Sequence, residues 1–369
     1  MYVGASPAGL AALGDHSRLA LVARTLQIDE SLWRATVTEF ERTVPAAAPG
    51  ESIDGELARC LPALAAAYRA RSPHETALPA ERQFPACRAC GKARQRPLLA
   101  RVPGPLLYGR CIECGHGQLF GVALPAALEQ QAARARHAAP DYYLTRAADG
   151  VGYDDYGQEL AYREKKGARL IERLLAATGG TVKSLLEVGS GFGFTRLAAE
   201  RLGLRTAGVD LNRAACAAAA NRYGLDTFHG DLGEALASTS APFLEGAWDA
   251  VLYQFVLEHV VDPVAELARA RQALGERGWL MLLVPSMDAL EIEAFGASYR
   301  SFRADHLHLP SLCSMRLILT RAGFEPVALE SGCNLHLLRG FVSEQALQYV
   351  YDSGRGPDLL VLARKQEGS

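Results

Sequence analysis

The run Leu185-Leu186-Glu187-Val188-Gly189-Ser190-Gly191-Phe192-Gly193 limits what this 369-residue chain can fold into more than any other feature. An apolar stretch that ends in three alternate glycines predicts a buried strand entering a tight turn, where backbone can come close to a charged ligand. The next apolar run, Thr206-Ala207-Gly208-Val209, closes on Asp210, nineteen residues after Gly191. An acid there is placed to accept hydrogen bonds from two ribose hydroxyls, so the two runs together predict a site for a nucleotide-type cofactor.

The turn departs from a dinucleotide cradle, which spells GxGxxG and uses its third glycine to bring helix and pyrophosphate together. Here Gly193 is followed by Phe194, Thr195 and Arg196. Glu187, two residues before the first glycine, adds a carboxylate that would repel a phosphate but suits the amino group and sulfonium of S-adenosylmethionine. The pattern resembles the class I S-adenosylmethionine-dependent methyltransferases, and the resemblance continues in order over about residues 165–369. Asp231, within Phe228-His229-Gly230-Asp231-Leu232, stands where that family places a group near the adenine. Trp248 to Phe255 matches the fourth strand, and Val256-Leu257-Glu258-His259-Val260-Val261-Asp262-Pro263 matches the family's "LEH…DP" segment. A helix over Pro263 to Leu274, a Gly275/Gly278 break and a fifth strand over Trp279 to Val284 follow. His306-Leu307-His308-Leu309-Pro310-Ser311, a helix ending at Arg321-Ala322-Gly323-Phe324 and the runs Pro326–Leu329 and Leu359–Ala363 complete the series.

The resemblance implies a cofactor set of Glu187, Gly189, Ser190, Gly191, Gly193, Asp210, Leu211, Asp231, Leu232 and Gln254. Methyl transfer needs a base only when the acceptor must lose a proton, and histidine suits that task near neutral pH. His259 leads because it follows the fourth strand, with capping or scaffolding of the next helix as the competing role. His306, His308 and Tyr253 are the other catalytic candidates, His306 with the stronger scaffold reading.

Four of the eight cysteines form Cys87-Arg88-Ala89-Cys90-Gly91 and Cys111-Ile112-Glu113-Cys114-Gly115, with twenty residues between the pairs. That is the double-knuckle spacing of a tetrahedral zinc site, and four thiolates leave no open position, so the metal would be structural. Disulfides are the competing reading, disfavoured because the N-terminus lacks a basic segment leading into an apolar span. The intervening Leu98–Val102 and Leu106–Tyr108 can supply a hairpin. Cys60, Cys216, Cys313 and Cys333 are expected to be buried small hydrophobes.

Residues 1–80 show helical spacing, broken at Pro45 to Gly50, and predict three or four packed helices. A dimerisation or substrate-capping bundle is the expectation, with Gly14-Asp15-His16-Ser17-Arg18-Leu19 faintly reminiscent of a winged helix. The ribbon, 81–120, carries Arg82, Arg88, Lys92, Arg94, Arg96, Arg101 and Arg110 against Glu81 and Glu113, a local excess of five positive charges. This is either a solvated face or a surface for a phosphate-bearing substrate, a carrier protein or RNA. The connector, 121–164, holds Asp141-Tyr142-Tyr143, Gly152-Tyr153-Asp154-Asp155-Tyr156 and Tyr162, and in the resembling methyltransferases that segment closes over the site.

The fold expected for 165–369 is therefore a doubly wound, Rossmann-like α/β methyltransferase sheet with a reversed last strand, preceded by the zinc ribbon and the helical N-terminal region. The combination is similar to the zinc-ribbon methyltransferases of biosynthetic gene sets, over about residues 81–369. It implies methylation of a small molecule at oxygen or carbon. RNA base methylation is one alternative, opposed by the formal net charge of -2 and by Tyr253-Gln254-Phe255-Val256 where an Asn/Asp-Pro-Pro-Tyr motif would stand. A non-catalytic scaffold is another, opposed by the intact Glu187, Gly189, Gly191 and Asp210. The charge also gives no pull toward a membrane, and a cytoplasmic protein is expected.

Overall fold

The computed structural model describes residues 30–69, 86–99, 107–120, 132, 134–145, 152–153, 160–239, 243–244, 246–296, 299–331, 338 and 341–367. The Gly14–Leu19 run, Arg82, Arg101, Asp154, Asp155, Tyr156 and Cys333 lie outside them.

The glycine-ended run forms β4 (Ser184–Val188), buried at every position. It pairs in parallel with β5 (Arg205–Asp210) on one side and β7 (Trp248–Gln254) on the other. With β6 (Thr227–His229), β8 (Leu274–Pro285), β10 (Phe324–Ser331) and β11 (Asp358–Lys365) they make a seven-stranded sheet in the order β10-β11-β8-β7-β4-β5-β6. β11 runs antiparallel to β8, with Leu359 opposite Val284, and is the reversed strand that the sequence predicts.

Strands buried on both faces need apolar side chains at consecutive positions, and successive ones point to opposite faces. Leu185 of β4 and Leu252 of β7 meet Leu170, Ile171 and Leu174 of α3 (Leu160–Ala177). Leu186 and Val251 face the other way, toward Leu267 of α7 (Pro263–Ala273) and Ile318 of α9 (Leu312–Arg321). The strand order reverses between β4 and β7, and their carboxyl ends open there into a crevice, the usual ligand position in such sheets.

The anticipated break at Gly275/Gly278 is a bulge within β8 rather than a separate loop. Trp248 pairs with Leu274 and Ala250 with Trp279, so the residues between Leu274 and Trp279 are looped out of register.

The cysteine region builds a second sheet from β1 (Gln95–Leu99), β2 (Leu107–Cys111) and β3 (Gly117–Phe120), all antiparallel. The predicted hairpin is present, shifted toward Gln95 at its first strand. A fourth strand, β9 (His308–Leu309), comes from the chain after β8 and pairs with β3, so the ribbon is hydrogen-bonded to the larger domain.

Two N-terminal helices are described, α1 (Glu30–Thr43) and α2 (Ile53–Arg69). Their apolar faces are used within the chain: Trp33, Phe40 and Leu64 pack with Phe295 of α8 (Glu291–Phe295), Phe341 and Leu347 of α10 (Glu344–Asp352). Trp33 meets Phe341 edge-on at 5.3 Å between ring centroids. Truncating so buried an indole to alanine costs about 3–5 kcal/mol in typical cores. Among the described residues no helix is long and apolar enough to cross a membrane.

Candidate functional site

Gly189, Gly191 and Gly193 all have positive φ, at 69°, 51° and 80°, which explains the residue type at each. A Cβ on Gly189 would lie 2.3 Å from Cγ2 of Val256, and one on Gly193 2.8 Å from Cδ1 of Leu225. The turn begins α4 (Phe194–Arg201), whose first residues pack inward.

Asp210 ends β5 almost fully buried. Its Oδ2 accepts from the Gly191 amide at 2.7 Å and its Oδ1 from the Asn212 amide at 2.7 Å, so one carboxylate ties the glycine turn to the start of α5 (Arg213–Tyr223). Burial raises its pKa and these amide donors oppose the rise. Each oxygen retains lone-pair capacity toward the crevice, which Asp210 lines. Asp231 also lines it and caps α6 (Leu232–Ala237), Oδ1 accepting from the Glu234 amide at 2.8 Å while Oδ2 meets Arg134. Gln254 borders the crevice at the end of β7 and accepts through Oε1 from the Thr195 hydroxyl at 3.0 Å.

Glu187 lies beneath the turn rather than in the crevice wall. Burial pushes its carboxyl up to about 8 despite nearby Arg196, and Oε2 has no hydrogen-bond partner among the described residues. Thr195 and the Arg196 backbone bond the carboxyl and oppose the rise, and a cationic ligand group above the turn would draw it to its charged form.

Residue Phe255, next along, holds φ 56°, the sole non-glycine with positive φ among the described residues. Strain of this kind concentrates where a chain must turn sharply at a site. The turn leads into Leu257–His259, a 3₁₀ turn, and then into α7, capped by Asp262 with Pro263 in its first turn.

Over the crevice lie Arg134, His137, Tyr142, Tyr143 and Tyr153 from the connector. Tyr143 stacks on Tyr153 at 5.8 Å and its hydroxyl reaches Asp210 Oδ2 at 3.5 Å. The Asn212 amide group donates to the carbonyls of His137 and Ala139, fixing this cover to α5.

His259 faces the same crevice. Its Nδ1 lies 2.7 Å from the carbonyl oxygen of Asp305, an acceptor only, so Nδ1 carries the proton and Nε2 the lone pair. His306 repeats the arrangement, with Nδ1 2.9 Å from the Ser301 carbonyl. Burial, then neighbouring His137, depresses His259 well below the usual histidine range, and burial pushes His306 down to about 4. Burial would raise Asp305, yet Arg303 and the two histidines hold it well below the carboxylate range. Arg303 grips it with Nε at 2.9 Å and Nη2 at 3.1 Å.

The cysteine site is separate. Sγ of Cys87 lies 3.6 Å from that of Cys114, and Cys90 is 3.6 Å from Cys111, with all four sulfurs within 4.8 Å of one another. Tetrahedral zinc with Zn–S of about 2.3 Å needs sulfurs about 3.8 Å apart, so the cluster fits that ion. Amides of Ala89 and Cys90 point at Cys87, and the contact with Cys114 holds the Cys87 thiol below its ordinary range. Gly91 and Gly115, at φ 75° and 72°, make the two turns. None of the described cysteines is disulfide-bonded.

Residues 160–329 match the family model described as a methyltransferase domain. The chain carries a methyltransferase domain over those residues. Solved structures similar to it include the 1,6-didemethyltoxoflavin-N1-methyltransferase of Burkholderia thailandensis, bound to 1,6-didemethyltoxoflavin and S-adenosylhomocysteine. That likeness has 16% identity over 74% of this chain and 100% of that one, at a TM-score of 0.46. A SAM-dependent methyltransferase from Archaeoglobus fulgidus shows 18% identity over 56% of this chain and 100% of its own, at 0.41. The geranyl diphosphate C-methyltransferase of Streptomyces coelicolor A3(2) shows 18% over 53% and 76%, at 0.37. No curated protein matches the sequence.

Within the methyltransferase, the crevice gathers Gly189, Asp210, Leu211, Asp231, Leu232, Gln254 and His259 from the set expected on sequence grounds. Gly191 and Gly193 build the turn, while Ser190 Oγ turns back toward Gly208 of β5. Tyr253 does not face the crevice: its hydroxyl donates to Glu266 Oε1 at 3.0 Å inside the domain. His308 is also displaced from the expected position. It lies between ribbon and domain, Nδ1 3.1 Å from Nε2 of His116 and Nε2 3.1 Å from the Val261 carbonyl, where burial pushes its pKa down to about 3. His306 stands behind His259 at 4.9 Å between rings. Cys60 and Cys216 are buried as expected, whereas Cys313 is exposed, because it lies on the outer face of α9. Arg134, His137 and Asp305 carry no signal in the sequence beyond residue type.

Proposed function

We propose that this methyltransferase acts on oxygen or carbon of a small biosynthetic intermediate enclosed under the tyrosine cover, and that its four cysteines hold a structural zinc ion. The observation that carries the reading is His259 Nε2, a lone pair fixed by the Asp305 carbonyl at 2.7 Å beside Val256, Val260 and Val261 in the crevice wall. A polar atom held in place next to apolar side chains suits a polar group on a compact acceptor.

The residues present suit S-adenosylmethionine: the glycine turn allows close backbone approach, Asp210 presents acceptors for ribose hydroxyls, and Glu187 supplies negative charge for the amino end. When bound, the cofactor supplies the electrophilic methyl. Asp210 and Asp231 orient it, and Tyr142, Tyr143 and Tyr153 exclude water. In-line transfer depends chiefly on that positioning. His259, kept neutral by burial, takes the acceptor's proton through Nε2.

Of the seven basic ribbon residues, Arg88 donates to the Val261 carbonyl at 2.7 Å, Arg94 pairs with Glu113 at 2.9 Å and Arg110 with Asp288 at 2.9 Å. The two carboxylate pairs offset charge that an RNA surface would keep free, and the Arg88 bond turns its guanidinium toward the domain. The test is calorimetry with S-adenosylhomocysteine, followed by a thermal-shift screen of small hydroxylated and carbon-acid acceptors in its presence. Micromolar cofactor binding and a cofactor-dependent acceptor shift are expected. Tight NAD binding without a response to S-adenosylhomocysteine, or a salt-sensitive RNA complex at submicromolar protein, would overturn the reading.

A further inference from the structure

We propose that Glu258, His259 and His306 form a second metal site, for one divalent transition cation of the zinc, cobalt or iron class, set against the acceptor side of the crevice. Each offers one ligand atom, and the three lie within 4.8 Å of one another. Ligand bonds of about 2.1 Å at tetrahedral angles place donor atoms about 3.4 Å apart, so a modest inward closure completes the set.

Two independent observations point to a cation there. Glu258 is 1% exposed, and both of its carboxylate oxygens are buried without a hydrogen-bond partner among the described residues. A buried carboxyl is normally bonded or paired, and neither condition holds without an ion between it and the imidazoles. The histidines are also oriented as ligands are. Both commit Nδ1–H to backbone carbonyls, of Asp305 at 2.7 Å and Ser301 at 2.9 Å, which bares Nε2 and raises its donor strength.

His137, His259 and Asp305 also converge within 4.8 Å. That alternative is weaker because Arg303 already holds both Asp305 oxygens. Two imidazoles and one carboxylate favour borderline transition cations over magnesium, and differ from the four thiolates of the ribbon. Three protein ligands leave an open position, as catalytic rather than structural sites do.

The role at the acceptor rests on the methyl-transfer reading; the binding of metal does not. An acceptor hydroxyl ligated at the open position releases its proton to solvent, its oxygen lone pair forms the O–CH₃ bond, and the S–CH₃ pair returns to sulfur to give S-adenosylhomocysteine.

The test uses the full chain, loaded first with zinc to fill the cysteines and then titrated with Co²⁺. The expected result is a second ion per chain by elemental analysis, with visible cobalt absorption lacking thiolate charge transfer. Two exchangeable, paramagnetically shifted imidazole N–H signals should accompany it in wild-type protein. Glu258→Gln and His306→Gln should each weaken that ion at least tenfold while S-adenosylhomocysteine still binds. A single ion per chain at saturating Co²⁺, absence of the shifted N–H signals, or a second ion retained in both variants would overturn the proposal. A second ion present with no S-adenosylhomocysteine binding would sink the cofactor reading and leave the metal site standing.

Discussion

His259 donates from Nδ1 to the backbone carbonyl of Asp305 at 2.7 Å, and the Asp305 carboxylate lies 3.9 Å from the same nitrogen. One residue therefore fixes the tautomer and supplies negative charge beside the ring. Because burial and His137 depress its pKa, His259 stays neutral well into the acid range. The neutral form is the competent one whether it takes a proton or holds a cation. The rate should accordingly be flat across neutral pH and fall only in acid, instead of rising through the ordinary histidine range near 6.5 that the sequence suggests. His259→Ala should lower kcat by about 10²-fold or more, with S-adenosylmethionine affinity within about threefold. A kcat profile that still titrates near neutral pH in that variant would assign the titration elsewhere.

Asp210 bridges Gly191 and Asn212 through 2.7 Å bonds to both amides. Asp210→Ala should weaken S-adenosylhomocysteine binding by about 1.5–3 kcal/mol, through lost charge-assisted bonds and a loosened turn. Asp210→Asn keeps one acceptor and should lose less. Calorimetry of the two variants checks the order, and equal affinities for wild type and alanine variant would remove Asp210 from the site.

The sheet was legible in the sequence because each strand there is a short apolar run between turn signals, and β4 to β11 appear in order. The glycine turn and Asp210 were legible because φ and spacing fix them locally. Sequence order puts Tyr253 and His308 beside the crevice, whereas strand pleat and ribbon docking turn them to Glu266 and His116, and neither effect is encoded in neighbouring residues. The Glu258, His259 and His306 cluster was legible only in part. Nothing near Glu258 in the sequence marks it as a ligand, because the segment that meets it, through the Leu307 amide on its carbonyl, and the His306 beside that segment lie more than forty residues downstream.

The ribbon touches the crevice wall at the Val261 carbonyl. Val261, which lines the site, accepts from Arg88 Nη1 at 2.7 Å and faces His308 Nε2 at 3.1 Å, while Arg321 donates to the carbonyls of Arg88 and Ala89. Cys90→Ser should therefore do more than destabilise the ribbon: it should reduce kcat while leaving S-adenosylhomocysteine affinity nearly unchanged. Arg88→Ala should reproduce part of the kcat loss with zinc content intact. Unaltered kcat in zinc-free protein would uncouple ribbon and site.

Acid should loosen the ribbon junction through His308. Its folded pKa, pushed down to about 3 by burial, lies below the unfolded value near 6.5, so the unfolded chain binds the extra proton between those limits. Stability from this group is present above about pH 6.5 and is lost as pH falls toward 3, by up to about 1.4 kcal/mol per pH unit. His116, bonded to it at 3.1 Å and also depressed by burial, adds in the same direction. His308→Gln removes the titration while keeping a side chain able to donate to the Val261 carbonyl. The variant should be less stable than wild type at pH 7, and the gap in melting temperature should narrow steadily from pH 6.5 to 4, because only wild type pays the protonation cost. Thermal melts of both proteins across that range decide it: a gap that stays constant would show that His308 is not the acid-sensitive group and would move attention to His306.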